Sequence, residues 1–111
     1  MEDASKRRKR LLMLHQVAGD LDAALQGGDA KRITRFSRMF NKVKRVCRFA
    51  RLREETGWTL AQAAERYHES PEIWIGWERT NKPDPRAYAF LCEVMLVEEY
   101  KRRKMEGEIV W

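Results

Sequence analysis

The chain has little of what most catalytic and metal-binding proteins need. Its 111 residues hold two cysteines, Cys47 and Cys92, and two histidines, His15 and His68, all far apart in sequence. No CxxC or HExxH occurs, so neither a metal site nor a cofactor is expected, and both thiols read as reduced and packed in helices. There is no Gly-rich phosphate loop and no nucleophile paired with a base, which argues against an enzyme. Only three prolines, with 36% charged and 43% hydrophobic residues, argue against disorder and for one compact helical protein. Apolar runs stay far below the roughly 20 residues of a membrane span. The basic start, "MEDASKRRKRLLMLHQV", is soon interrupted by polar residues, with no small-residue cleavage pattern after it. A cytoplasmic location with no membrane partner is the expectation.

One further absence points to a function. From Lys31 to Arg53 there is no Asp or Glu, against ten cations: Lys31, Arg32, Arg35, Arg38, Lys42, Lys44, Arg45, Arg48, Arg51 and Arg53. The imbalance is regional, since residues 1–56 carry 15 Lys/Arg and 7 Asp/Glu while residues 57–111 carry 8 and 10. Solvated basic faces are common, but a row of cations without one carboxylate repels itself, and a polyanion would relieve that repulsion. Phosphate contact is therefore expected for several of them, with Arg38, Lys42 and Arg45 as candidates.

The pattern along the chain predicts helices only. Leu11, Leu14, Ala18, Leu21 and Leu25 recur at steps of three and four, which predicts a helix from Ser5 to about Gln26, stopped by Gly27 and Gly28. Asp29 is a candidate N-cap for a long second helix reaching about Thr56, with a break near Asn41. On it Ile33, Phe36, Phe40, Val43, Cys47 and Ala50 share one arc, while Phe49 and Leu52 point elsewhere, so two packing partners are expected. Shorter helices follow: Thr59 caps one to Tyr67, Ser70 caps the next with Pro71 at its first position, and Thr80 to Pro83 form a turn. Asp84 and Pro85 open a last helix that runs to about Lys104 on Ala87, Phe90, Leu91, Val94 and Val97. The resulting fold class is all-α.

The stretch "LREETGWTLAQAAERYHESPEIWIGWER", Leu52 to Arg79, resembles the Cro/phage-repressor family of helix-turn-helix proteins, also called the xenobiotic-response-element type. The family's Leu-Arg-Glu-Glu before glycine is met by Leu52 to Gly57, and its apolar residue and capping Ser/Thr by Trp58 and Thr59. Its helix alanine falls on Ala64, its recognition-helix cap on Ser70 and its Trp-Glu on Trp77 and Glu78. The resemblance implies a four-helix unit over residues 43–106, preceded by an N-terminal helical hairpin over 1–42 and followed by an apolar tail, 107–111. It implies that Arg53 pairs with Glu78 across two helices. His68 stands where the family often has glycine, which implies a positive φ in the inter-helix turn. The resemblance also implies a sequence-specific DNA-binding regulator of phage or bacterial type, a repressor acting as a dimer on palindromic double-stranded DNA.

With Trp58, Trp74 and Trp77 read as core, helical rotation turns Glu72, Ile75, Gly76 and Arg79 outward. Glu72 could accept from a cytosine amino group, Ile75 could meet a thymine methyl, Gly76 could allow close approach, and Arg79 could reach guanine or phosphate. Thr59, Ser70, Thr80, Asn81, Lys82 and Arg86 are the expected phosphate contacts. Where the family has a phosphate-binding glutamine this chain has Leu60, and where it has a glycine after the recognition helix this chain has Thr80. The alternative is a protein-interaction module on the same scaffold, gripping a host or regulatory protein through an Ile75 patch. A hairpin buries little by itself, so Leu11, Leu14, Leu21, Leu25, Ile33, Phe36 and Phe40 are the expected dimerisation residues, with "EIVW" as an extra contact.

Overall fold

A computed structural model describes residues 3–107 as six α-helices and no strand. The helices are α1 (Ala4–Gly27), α2 (Ala30–Val46), α3 (Phe49–Thr56), α4 (Leu60–Tyr67), α5 (Pro71–Thr80) and α6 (Pro85–Met105). The "EIVW" segment, Glu108 to Trp111, lies outside the described residues. Five helices start at a local side-chain cap, because Asp, Ser and Thr oxygens accept the backbone N–H groups that a first turn leaves unpaired. Asp3, Asp29, Ser70 and Asp84 each do so, and Thr59 forms a full capping box with Gln62. Left-handed residues close most of them: Gly28 at φ 71°, Gly57 at 79°, His68 at 60° and Asn81 at 54°. His68 thus takes the positive φ expected of it.

The expected long helix to Thr56 is two helices, and the break falls at Cys47 and Arg48 rather than near Asn41. No glycine or proline marks the place. The cause is tertiary: the Asn81 Nδ2 donates to the Lys44 carbonyl at 3.1 Å, its Oδ1 accepts from the Phe49 N–H at 2.9 Å, and the Tyr88 hydroxyl donates to the Cys47 carbonyl at 2.8 Å. Groups left unpaired by ending one helix and starting another are satisfied from 32 to 41 residues away. Residues 42 and 43, the expected division between hairpin and four-helix unit, both lie inside α2.

The first and last helices form the backbone of the core. α1 runs antiparallel along α6, with Asp22 beside Arg86 at 3.6 Å, His15 beside Glu93 at 2.9 Å and the Arg7 guanidinium donating to the Met95 sulfur at 3.6 Å. α2 packs on α1, and Arg10 of α1 reaches Glu55 of α3 at 3.3 Å. One continuous cluster results: Leu11, Leu14, Ala18 and Leu21 pack with Phe40, Phe49, Leu52, Trp74, Tyr88 and Leu91. Phe49 is the hub of its aromatic part, with ring centroids 4.9 Å from Trp74, 6.2 Å from Trp77 and 6.4 Å from Tyr88. Trp74 is fully buried, whereas Trp58 and Trp77 are half-buried against the same core. Val97, expected on the buried stripe of α6, is 51% exposed instead.

This packing changes what the N-terminal stripes are for. Leu11, Leu14, Leu21 and Phe40, expected to meet a second subunit, are between 0 and 5% exposed within one chain because α6 and its neighbours cover them. Ile33 and Phe36 are half-buried, and Leu25 is 48% exposed.

Candidate nucleic-acid interface

The candidate interface begins with a partly buried ion pair that sets how α5 sits on α3. Arg53 donates from Nε to Glu78 Oε2 at 2.7 Å and from Nη2 to Oε1 at 3.1 Å, and its Nη1 donates to the Trp58 carbonyl at 2.9 Å. The Trp74 indole N–H donates to Glu78 Oε2 at 2.6 Å. The guanidinium is a planar fork, so this two-point contact fixes direction as well as distance. Its hydrogen bonds to Glu78 hold the Arg53 pKa above its ordinary value. Three segments, α3, the loop carrying Trp58, and α5, are thereby held in one arrangement.

With Trp74 turned inward, α5 presents a narrow outer surface. Glu72, Arg79 and Thr80 are exposed, while Ile75 and Gly76 are half-buried. The most exposed apolar side chain is Ile73, at 47%, so any apolar contact made by this helix centres on Ile73 rather than on the expected Ile75. A Cβ added at Gly76 would meet nothing within 4 Å. The protein's own packing does not require glycine there, and the bare backbone is open to a partner's close approach.

The hydroxyls divide into free and committed donors. Thr59 Oγ1 and Ser70 Oγ accept from the N–H groups of Gln62 and Ile73, which leaves each O–H proton to give to a phosphate. Thr80 spends its proton on the Gly76 carbonyl at 2.8 Å. Asn81, expected to touch phosphate, has both ends of its amide occupied by Lys44 and Phe49. Its side chain is a tertiary cap, and only its position at the end of α5 remains of the expected role. Arg86 is 64% exposed and shared between Asp22 at 3.6 Å and Asp84 at 3.7 Å, long contacts that leave its guanidinium reachable.

Asn81 also decides which cations lie near α5. By binding the Lys44 carbonyl it joins the C-terminal turn of α2 to the C-terminus of α5. Exposed Arg45 adjoins Lys44 in sequence, and Lys42 lies within the same turn, whereas Arg38 is six residues back, about 9 Å along the helix. Lys82, directly after Asn81, is exposed at the same junction. Lys44 itself is buried, 6% exposed, with its ammonium 4.6 Å from the Phe40 ring centroid. Sequence alone offered Lys44 only as one of ten cations, and nothing in its local pattern singled it out.

Other chemistry has less to work with. Burial pushes the Cys47 thiol pKa up and that of Cys92 to about 12, so both are held as thiols. Among the described residues, no three of His, Cys, Asp and Glu stand close enough to hold a metal ion, and no helix is long and apolar enough to cross a membrane. An open cleft of about 900 Å³ runs between α4 and α6 over Trp58, Phe90, Val94 and Val97. No family model, curated protein or solved structure matches this chain.

Proposed function

We propose that the chain is a helix-turn-helix regulator that binds double-stranded DNA, with α5 as its recognition helix and a repressor of phage or bacterial type as its biological role. The observation that carries the reading is the junction of α5 with an acid-free basic helix: Arg79 and Lys82 at the end of α5 adjoin Lys44, Arg45 and Arg48 through Asn81. In this reading α5 enters the major groove. Glu72 and Arg79 meet base edges, Ile73 and Gly76 lie against the groove floor, and Thr59 and Ser70 hold phosphates from the helix caps. Few side chains then read bases, so backbone contacts and duplex shape carry much of the affinity.

A homodimer on a palindromic operator fits the same reading, since two copies of one short reading helix need two half-sites for adequate specificity. Its contact has to use surface left outside the core, such as Leu25 and the half-buried Ile33 and Phe36. Selecting bound fragments from random DNA tests the proposal. A recovered motif whose preference is relaxed by Arg79→Ala or Glu72→Ala supports it, and recovery of unselected sequence refutes it. A protein-interaction role has one observation of its own, the exposed Ile73 beside bare Gly76. Ile73→Asp abolishing capture of a protein partner, with duplex binding absent in the wild type, would favour that role.

A further inference from the structure

Lys44 is placed in a way that packing alone does not explain. It is 6% exposed, yet among the described residues no carboxylate lies within ion-pair distance of it. The Phe40 ring supplies a π face at 4.6 Å, which attracts a cation but does not neutralise it. A second cation stands nearby. Asn81 is bonded to the Lys44 carbonyl at 3.1 Å, so Lys82, the next residue, is held beside Lys44 by the same contact that ends α2. Burial, and then the charge of Lys82, lower the Lys44 pKa below the ordinary 10.5. A largely buried lysine with a second cation near it and no carboxylate is unfavourably placed, and an anion would relieve it.

We infer that Lys44 and Lys82 form a phosphate clamp where α2 meets the end of α5, and that its ligand is a backbone phosphate of the bound duplex. Phosphate suits the pair because two ammonium groups on separate stems can take two oxygens of one tetrahedral anion, with the Lys44 stem packed into the protein and Lys82 at the surface. Arg45, Arg48 and Arg79 around it are exposed and form no ion pair among the described residues, so flanking phosphates meet further cations. The clamp rests on the DNA-binding reading and adds a register to it: one phosphate is pinned at the C-terminal end of α5, and α2 extends the footprint on that side alone.

Two substitutions and two readouts test this. Lys44→Met keeps an apolar stem against Phe40, and Lys82→Gln alters an exposed residue, so the second variant folds even if the first is weakened. Thermal unfolding is followed in sodium phosphate and in sodium chloride of equal ionic strength, and a labelled duplex is titrated at several salt concentrations. Phosphate should raise the wild-type melting temperature more than that of either variant, and each variant should lower the slope of log affinity against log salt by about 1. Wild-type duplex binding with an unchanged slope and an unchanged phosphate response in both variants overturns the clamp and leaves the regulator reading standing. The opposite pattern, no duplex binding but a phosphate response confined to the wild type, keeps the clamp, gives it free phosphate as ligand and removes the DNA reading.

Discussion

Glu78 accepts two hydrogen bonds from Arg53 and one from Trp74 while its side chain stays 11% exposed. Removing either charge strands the other in a poorly solvated place. Arg53→Ala and Glu78→Ala should each cost about 3 kcal/mol, and the double variant clearly less than their sum. A denaturation cycle giving additive losses would show that the two residues do not act together. Gly76→Ala tests the bare stretch of α5: with nothing within 4 Å of the new Cβ, it should stabilise the free protein by about 1 kcal/mol. If α5 reads DNA as proposed, the same change should weaken duplex binding, because the methyl group occupies the space that a groove floor would fill. For Lys44 the sign is opposite to that of a paired lysine. Its folded pKa lies below the unfolded value, so its own contribution to stability rises with pH through that window toward 10.5, against the fall contributed by Cys47, Cys92, Tyr67 and Tyr88, whose folded pKa values are raised. Lys44→Met removes that contribution and should steepen the net alkaline fall in melting temperature, and a variant whose pH profile matches the wild type contradicts the assignment.

At the scale of elements, the caps were legible in sequence and the break between α2 and α3 was not. Thr59 with Gln62, Ser70 with Pro71 and Asp84 with Pro85 are local devices, read from residues three or fewer positions apart. α3 has no such device, since Arg48 supplies no side-chain cap and the acceptor comes from Asn81. Asn81→Ala removes that acceptor and orphans the Lys44 carbonyl, and should cost about 2 kcal/mol by chemical denaturation. The left-handed backbone at Asn81 adds to the cost, because alanine tolerates φ 54° less well. If Asn81→Ala and Asn81→Gly both proved harmless, the helix break would need another cause. The outward side of α5 was legible only in part: inward Trp74 sets the rotation, but Ile73 is the exposed isoleucine and Ile75 is half-buried, a difference that local spacing does not show.

For the whole molecule, α1 against α6 is the decision with the widest effect. An amphipathic stripe states that a helix will be covered and does not state by what. Leu21 is 5% exposed inside one chain, so Leu21→Asp should unfold the protein rather than release folded monomers. Circular dichroism recorded beside light scattering distinguishes these outcomes, and a well-folded Leu21→Asp monomer would return this residue to a subunit interface.

The sequence by itself determined the all-helical class, the capped boundaries of four of the helices, the left-handed turn at His68 and the meeting of Arg53 with Glu78. Each depends on spacing within a few residues, or on a motif whose partners are held at a set distance by the short helices between them. Only the tertiary structure decided that α1 lies on α6, that α2 stops at Cys47, and that Lys44 is buried beside Lys82 without a carboxylate. Those outcomes depend on groups 32 to 88 positions apart in the chain, such as Asn81 with Phe49 and Arg7 with Met95. Pairings at such separations are chosen by which surfaces can be covered together, and no local pattern of residues encodes that choice.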